Sequence, residues 1–221
     1  SLPLGIELAF CPTGEGGGVD PTCSPGSSGT AVERIKSLGY NARGIDDMDP
    51  GAADVFHDEL LSLKEEFPGI EKTLSIIQWG DLGEAVPLTI KKEGTDKRLL
   101  LHKDLKSAKG VAALNKDALK AQKSGFLSSE GGMRGFVAHE LGHVIDFTPF
   151  NTSMNWRGFQ AARKYLRAHP PTAKQLSKYG TDKSNPHVKE EMFAEAYAAY
   201  RTKSNPNAWQ IAFNAAMRSK E

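Results

Sequence analysis

Two histidines and a glutamate within five residues could carry metal-dependent chemistry. The chain reads His-Glu-Leu-Gly-His from His139 to His143. Residues four apart on an α-helix lie one above the other, so both imidazoles can point at one ion. Glu140 lies about 100° around the helix, where it can reach a water bound to that ion. We therefore predict that His139 and His143 bind one Zn²⁺ and that Glu140 takes a proton from the water.

The flanking residues indicate that this helix is mostly buried. Gly-Phe-Val-Ala at 135–138 precedes the histidines, and Val144, Ile145 and Phe147 follow them. Histidine and glutamate are rarely buried in such a helix without a partner. The alternative is a helix with two ordinary histidines on its polar face. We disfavour it because a Gly-containing segment with apolar flanks is not a typical solvent-facing surface.

The third metal ligand must come from elsewhere in the chain. In the metzincin class a glycine and a further histidine follow the second histidine at fixed spacings, but those positions hold Asp146 and Pro149. The metzincin class is therefore excluded. Because Asp146 lies only three residues after His143, we predict a role at the helix end or in the second shell of the metal site, rather than as a ligand.

Two glutamates on a later helix offer the missing carboxylate. Glu191 and Glu195 are four residues apart, so they share a face of the helix predicted for 186–202. We predict that Glu191 binds the metal and that Glu195 accepts a hydrogen bond from the free nitrogen of a ligand histidine. Two alternatives stay open. Glu190 or His187 could be the ligand, or the acidic first half of the helix could be a solvated surface.

These motifs together resemble a known family. His-Glu-Leu-Gly-His-Val-Ile-Asp, a later Tyr-Gly, and Glu-Met-Phe-Ala-Glu-Ala-Tyr are similar to the zinc-metallopeptidase domain of anthrax lethal factor and its relatives, which include the clostridial Pro-Pro endopeptidases. The resemblance covers residues 98–219 and implies a glutamate-type zincin. It implies that Glu191 ligates zinc, that Glu195 is the second glutamate of the motif, and that Tyr179 donates to the developing oxyanion.

The chain departs from the family pattern between the tyrosine and the glutamates. Eleven residues separate Tyr179 from Glu191, more than the family has, so 182–187 is predicted to be an insertion. Tyr179 can still reach the site if this insertion bulges outward. Tyr197 and Tyr200 are instead predicted to pack in the core.

The predicted elements indicate an α+β fold. Thr30 and Asp49-Pro50 are start signals for helices at 31–38 and 50–66. Strand-like runs follow at 73–79, 85–91, 98–102 and, more briefly, 110–115. After the helix with the paired histidines, further helices are predicted at 155–168, 172–178, 186–202 and 206–219, the last two starting at Asn185-Pro186 and Asn205-Pro206. With the resemblance, this order implies a zincin-like metallopeptidase fold, a small mixed sheet followed by a helical half with the metal site.

Charge and hydropathy narrow the classes of partner. The 221 residues include 28 basic and 27 acidic ones, for a net charge of +1, which makes no electrostatic case for nucleic acid or an anionic membrane. No apolar stretch approaches the ~20 residues of a membrane span, and no signal peptide is visible. We expect a protein or peptide substrate, no nucleic acid and no membrane. A secreted effector and a virion-associated protein both fit these features.

Residues 1–30 are predicted to form a flexible N-terminal arm ahead of a catalytic domain at 31–221. Cys11 and Cys23 lie in this Gly-, Pro- and Ser-rich arm and could close a small loop in an oxidising compartment. The run from Phe10 to Pro25 resembles a segment of phage head-morphogenesis and portal-associated proteins. That resemblance implies a prophage or virion origin as readily as a toxin.

The predicted activity is zinc-dependent hydrolysis of a peptide bond, with water as the nucleophile and Glu140 as the base. An extended substrate is expected to pair with an edge strand, for which Gly110–Leu114 is the candidate. Two other classes remain as alternatives. One is a catalytically inactive zincin that serves as a structural or virion-associated module, and the other is a partner-binding domain without metal.

Overall fold

The computed structural model describes residues 29–83, 86–148 and 157–219. Within these ranges the chain forms seven α-helices and three strands. The helices are α1 (Ala31–Lys36), α2 (Pro50–Glu66), α3 (Ala108–Lys123), α4 (Met133–Phe147), α5 (Arg157–Ala168), α6 (Val188–Thr202) and α7 (Ala208–Met217). The strands are β1 (Ile76–Trp79), β2 (Leu88–Glu93) and β3 (Asp96–Leu101). Both cysteines and most of the predicted arm lie outside the described residues.

The predicted starts of the first two helices are confirmed. The Thr30 side chain accepts a hydrogen bond from Glu33 N, and the Glu33 side chain accepts one from Thr30 N, which is a capping box. The Asp49 side chain accepts from Ala52 N, with Pro50 in the first turn. Both signals are local, because each satisfies backbone N–H groups that the helix itself cannot pair.

The three strands form one small mixed sheet in the order β1-β3-β2. β1 is parallel to β3, and β2 is antiparallel to it. The three predicted strand runs are confirmed in place, with shifted boundaries. β1 begins at Ile76 rather than Thr73, β2 begins at Leu88 rather than at 85, and β3 begins at Asp96 rather than Arg98. Residues 70–72 form a 3-10 turn, and Thr73 N donates to Ile70 O at its end. β2 lies at an edge of the sheet and contacts α4.

The fourth predicted strand is wrong, because residues 110–115 lie inside helix α3. The Ser107 hydroxyl accepts from Gly110 N and caps this helix. Its buried residues, Leu114 and Ala118, are four apart, which is helical spacing. A run as short as 110–115 does not distinguish a strand from a helix by period. The predicted substrate-binding edge at 110–114 is therefore wrong as well.

The predicted helix at 172–178 is also wrong, because these residues form turns. The side chains of Thr172 and Gln175 each accept a hydrogen bond from the backbone N–H of the other residue. Thr172 N donates to Gln175 Oε1 at 2.9 Å, and Gln175 N donates to Thr172 Oγ1 at 3.3 Å. Such local side-chain bonds compete with helical hydrogen bonds.

The last two helices are confirmed, but each begins two residues later than predicted. Asn207, rather than Asn205, caps α7, with a capping box to Gln210. The residue before α6 is His187, which makes no side-chain cap. The predicted start of α5 at Asn155 lies outside the described residues.

Helices α4 and α6 pack closely and position the candidate site. A Cβ on Gly142 would lie 2.9 Å from Ala194 Cα, so a side chain there would force the helices apart. Ten of the 15 residues of α4 are buried, which confirms the predicted buried helix. Tyr197 is fully buried and Tyr200 packs partly buried against the core, as predicted.

The α+β class is confirmed by the described elements, with the small sheet preceding the pair α4 and α6 along the chain. A single apolar core joins these parts, from Ile35 and Phe56 to Phe193 and Phe213. In the described ranges, none of the helices combines the length and apolar character that crossing a membrane requires.

Candidate metal centre

Two imidazoles and one carboxylate oxygen converge where α4 meets α6. Glu191 Oε2 lies 3.0 Å from His139 Nε2 and 3.3 Å from His143 Nε2. Both histidines are buried, and their rings lie 4.9 Å apart in an edge-to-face arrangement. The i, i+4 spacing on α4 sets the two imidazoles side by side, and the close approach of α6 brings the carboxylate to them.

The 3.3 Å separation equals what a small ion would require, and the 3.0 Å separation is slightly shorter. Ligand atoms about 2.0 to 2.1 Å from a tetrahedral zinc ion lie about 3.3 to 3.4 Å from one another. Among the described residues, Glu191 Oε2 is buried and has no hydrogen-bond partner of regular geometry, although both ring nitrogens are close. A buried carboxylate oxygen with no regular hydrogen bond is the type of atom that a cation satisfies.

Glu140 adds a third group within reach of the same point. The ligand atoms of His139, Glu140 and His143 all lie within 4.8 Å of one another, so this group could hold a metal ion. However, Glu140 Oε2 already accepts a hydrogen bond from Ile90 N at 3.1 Å, on edge strand β2. Since Glu191 Oε2 has no such partner, Glu191 is better placed than Glu140 to hold a metal ion.

The environment of Glu140 suits a proton acceptor. Burial raises the pKa of the Glu140 carboxyl above its ordinary value, and the Glu191 carboxylate adds to this. The two imidazoles and the Ile90 N–H act in the opposite direction and lower its pKa. A carboxylate whose pKa is moved towards neutrality is a more effective general base than an ordinary one.

Glu195 joins the His139 ring to two loops. Its Oε2 lies 3.0 Å from His139 Nδ1. Its Oε1 accepts from Ser128 N at 3.0 Å and from Ser177 Oγ at 2.7 Å. The side chain is fully buried, and Ser128 Oγ also donates to the Glu195 carbonyl. This network fixes the ring orientation, so that Nε2 of His139 faces Glu191.

Tyr179 lies beside the histidines. Its ring centroid is 5.8 Å from that of His139. Burial raises the pKa of the Tyr179 hydroxyl, and the nearby Glu191 carboxylate raises it further. The predicted insertion at 182–187 is largely exposed, and Tyr179 still lies beside His139. A Cβ on Gly180 would lie 3.0 Å from Glu195 Cβ, so the glycine after Tyr179 lets this turn lie against α6.

The electrostatics of the cluster favour positive charge. Burial alone would lower the pKa of His139, but the Glu191 and Glu195 carboxylates outweigh it and raise that pKa to about 10. Burial would raise the pKa of Glu191, yet the two imidazoles hold it well below its ordinary value. Three carboxylates around two imidazoles thus form a site that stabilises a cation.

Three residues named from the sequence are not part of this cluster. Asp146, predicted in the second shell or at the helix end, pairs with Arg163 of α5 instead of reaching an imidazole nitrogen. His187 is exposed at the start of α6. Glu190 interacts electrostatically with Arg163. Neither alternative ligand reaches the cluster. Glu190 is adjacent to Glu191 on α6 and so points about 100° away from it, whereas His187 precedes the first turn of the helix.

Three contributors were not anticipated from the sequence. Ser128 and Ser177 bond to Glu195, and the backbone of Ile90 bonds to Glu140. Ser177 lies two residues before Tyr179, and this proximity to the Tyr-Gly motif is the one sequence feature that could have indicated its role. Serines are common, and a backbone N–H belongs to nearly every residue, so neither forms a sequence pattern that indicates a role in the site.

No protein-family model matches this chain, and comparisons with curated proteins and with solved structures find no match either.

Proposed function

We propose that the chain is a zinc-dependent metalloendopeptidase of the glutamate zincin type. The observation that carries the proposal is the Glu191 carboxylate, supplied by a separate helix and directed at both imidazoles. His139, His143 and Glu191 would hold one Zn²⁺, which fits the nitrogen and oxygen donors that zinc prefers. The α+β arrangement, with a small sheet ahead of the site-bearing helices, is compatible with a zincin-like domain at 31–221.

The side chains have complementary roles in peptide hydrolysis. Zinc, when bound, supplies Lewis acidity, which polarises the scissile carbonyl and acidifies water. Glu140 accepts the proton of the attacking water and delivers it to the leaving amine as the C–N bond breaks. Tyr179 donates a hydrogen bond to the carbonyl oxygen as negative charge develops on it. Glu195 keeps His139 in the tautomer with its proton on Nδ1.

Edge strand β2 is the proposed place for the substrate backbone. It lies at the side of the sheet that contacts α4, and its Ile90 N–H points at Glu140 rather than at β3. An extended peptide can pair with an exposed strand edge. This replaces the segment 110–114, which is helical.

The test is a peptide-library cleavage screen with zinc present, read by mass spectrometry, beside Glu140→Gln. We expect wild type to cleave, and we expect the variant to lose about 10³-fold in kcat with unchanged zinc content, because general bases typically contribute 10² to 10⁴. Equal cleavage by both proteins would contradict the role of Glu140. If zinc binds and neither protein cleaves any peptide, the inactive-module alternative replaces the enzyme.

A second variant tests the support of His139. In Glu195→Gln an amide N–H₂ can face His139 Nδ1, which favours the tautomer with its proton on Nε2, towards the metal. We expect zinc affinity to fall 10- to 100-fold, the usual cost of losing such a partner. Chelator competition measures the affinity, and a denaturant titration checks the fold. Unchanged affinity in a folded variant would show that Glu195 does not act through His139.

A further inference from the structure

A large aromatic side chain lies exposed next to the candidate site. Phe126, in the loop between α3 and α4, is 46% exposed. Its ring centroid lies 5.5 Å from that of Tyr179, and Tyr179 lies 5.8 Å from His139. Isolated exposed apolar residues are common. Phe126 differs because its ring continues an aromatic surface that begins at the histidines.

The loop that carries Phe126 is held firmly by hydrogen bonds. Phe126 N donates to Ala121 O at 3.0 Å, and Phe126 O accepts from Tyr179 N at 3.0 Å. Next to it, Gly125 O accepts from Lys178 N at 3.0 Å. Both backbone groups of Phe126 are therefore paired. The side chain is displayed to solvent by a fixed backbone rather than by a loose loop.

The same loop also contacts the carboxylate that orients His139. Two residues after Phe126, Ser128 N donates to Glu195 Oε1, which belongs to the carboxylate that contacts His139. The position of the Phe126 ring is thus tied to the histidine on one side and to Tyr179 on the other. A preorganised apolar side chain loses little conformational freedom when a ligand covers it.

We propose that Phe126, together with the Tyr179 ring, forms a subsite for a large apolar side chain of the substrate peptide. This rests on the proposed peptidase function. The two ring contacts place Phe126 within about 11 Å of the His139 ring, and an extended residue spans about 3.3 Å. The side chain that Phe126 selects lies within about three residues of the scissile bond. Phe126 is a specificity-determining residue, since it contacts the substrate away from the reacting atoms.

The experiment compares wild type, Phe126→Ala and Ile211→Ala on peptides that differ at one position, with Leu, Phe, Ala or Asp there. Ile211 is a matched control because it is also a large exposed apolar residue, on α7. Zinc content is measured in each protein. We expect wild type to prefer Leu and Phe at one position near the cut. We expect Phe126→Ala to lose about 10-fold or more in kcat/KM on those peptides and to change little on the Ala peptide.

Parallel binding measurements use zinc-loaded Glu140→Gln, with and without Phe126→Ala, and the same peptides. If wild type and Phe126→Ala both cleave with the same preference for Leu and Phe, the subsite proposal is wrong and the peptidase proposal is unaffected. Apolar-selective binding that Phe126→Ala removes, without cleavage by wild type, would support the subsite and overturn the peptidase. Absence of both cleavage and selective binding would overturn both.

Discussion

Replacing Glu191 by alanine is expected to weaken zinc binding by more than about 100-fold, because even partners outside the ligand set cost 10- to 100-fold when lost. Its Oε2 lies 3.0 and 3.3 Å from the two imidazole nitrogens, and no other described carboxylate is as close to both. The measurement is a competition titration against a chelator of known affinity. Thermal unfolding with and without chelator gives a second reading, since a bound ligand stabilises the folded state.

Glu190→Ala is the matched control for that result. Glu190 is the preceding carboxylate on the same helix, and it interacts with Arg163 rather than with the imidazoles. We expect this variant to bind zinc as wild type does and to keep the chelator-induced drop in Tm. A greater loss in Glu190→Ala than in Glu191→Ala would reverse the ligand assignment. If the wild-type protein binds no zinc and its Tm does not change with chelator, the metal-site proposal is wrong.

Replacing Glu59 by alanine is expected to destabilise the fold by about 3 kcal/mol, because it removes the buried carboxylate that two partly buried arginines share. The Glu59 carboxylate is 1% exposed on α2, and it accepts from Arg134 Nη1 at 2.9 Å and Arg201 Nε at 3.0 Å. These arginines belong to α4 and α6, so one carboxylate links the helices that bear the site. The two arginine side chains are each 25% exposed, which keeps the cost at the lower end of the usual range.

Thermal and denaturant unfolding measure this effect. A loss of about 3 kcal/mol lowers Tm by roughly 6 to 12 °C in a domain of this size. Asp54→Ala is the control, because Asp54 pairs with Arg34 at 2.7 Å but its side chain is 63% exposed. Exposed pairs contribute at most about 1 kcal/mol. Equal losses in the two variants would show that Glu59 does not connect the helices energetically.

Structural features that depend on neighbouring residues were predicted well from the sequence. The capped starts of α1 and α2 and the burial of α4 follow from residues within one or two turns of each other. The paired arrangement of His139 and His143 is of the same kind, because helical geometry alone brings i and i+4 side chains together. The segment 110–115 shows the limit of such signals, since a short apolar run is compatible with both periods.

The sequence by itself determined the chemistry available at this site, two imidazoles and a carboxylate on one buried helix. Only the tertiary structure decided which distant groups meet them. It brought Glu191 rather than Glu190 to the imidazoles, directed Asp146 to Arg163, and joined Ser128 to Glu195. The reason is physical. Contacts between helices depend on how close two backbones approach and how each helix is rotated, and these follow from packing of the whole core.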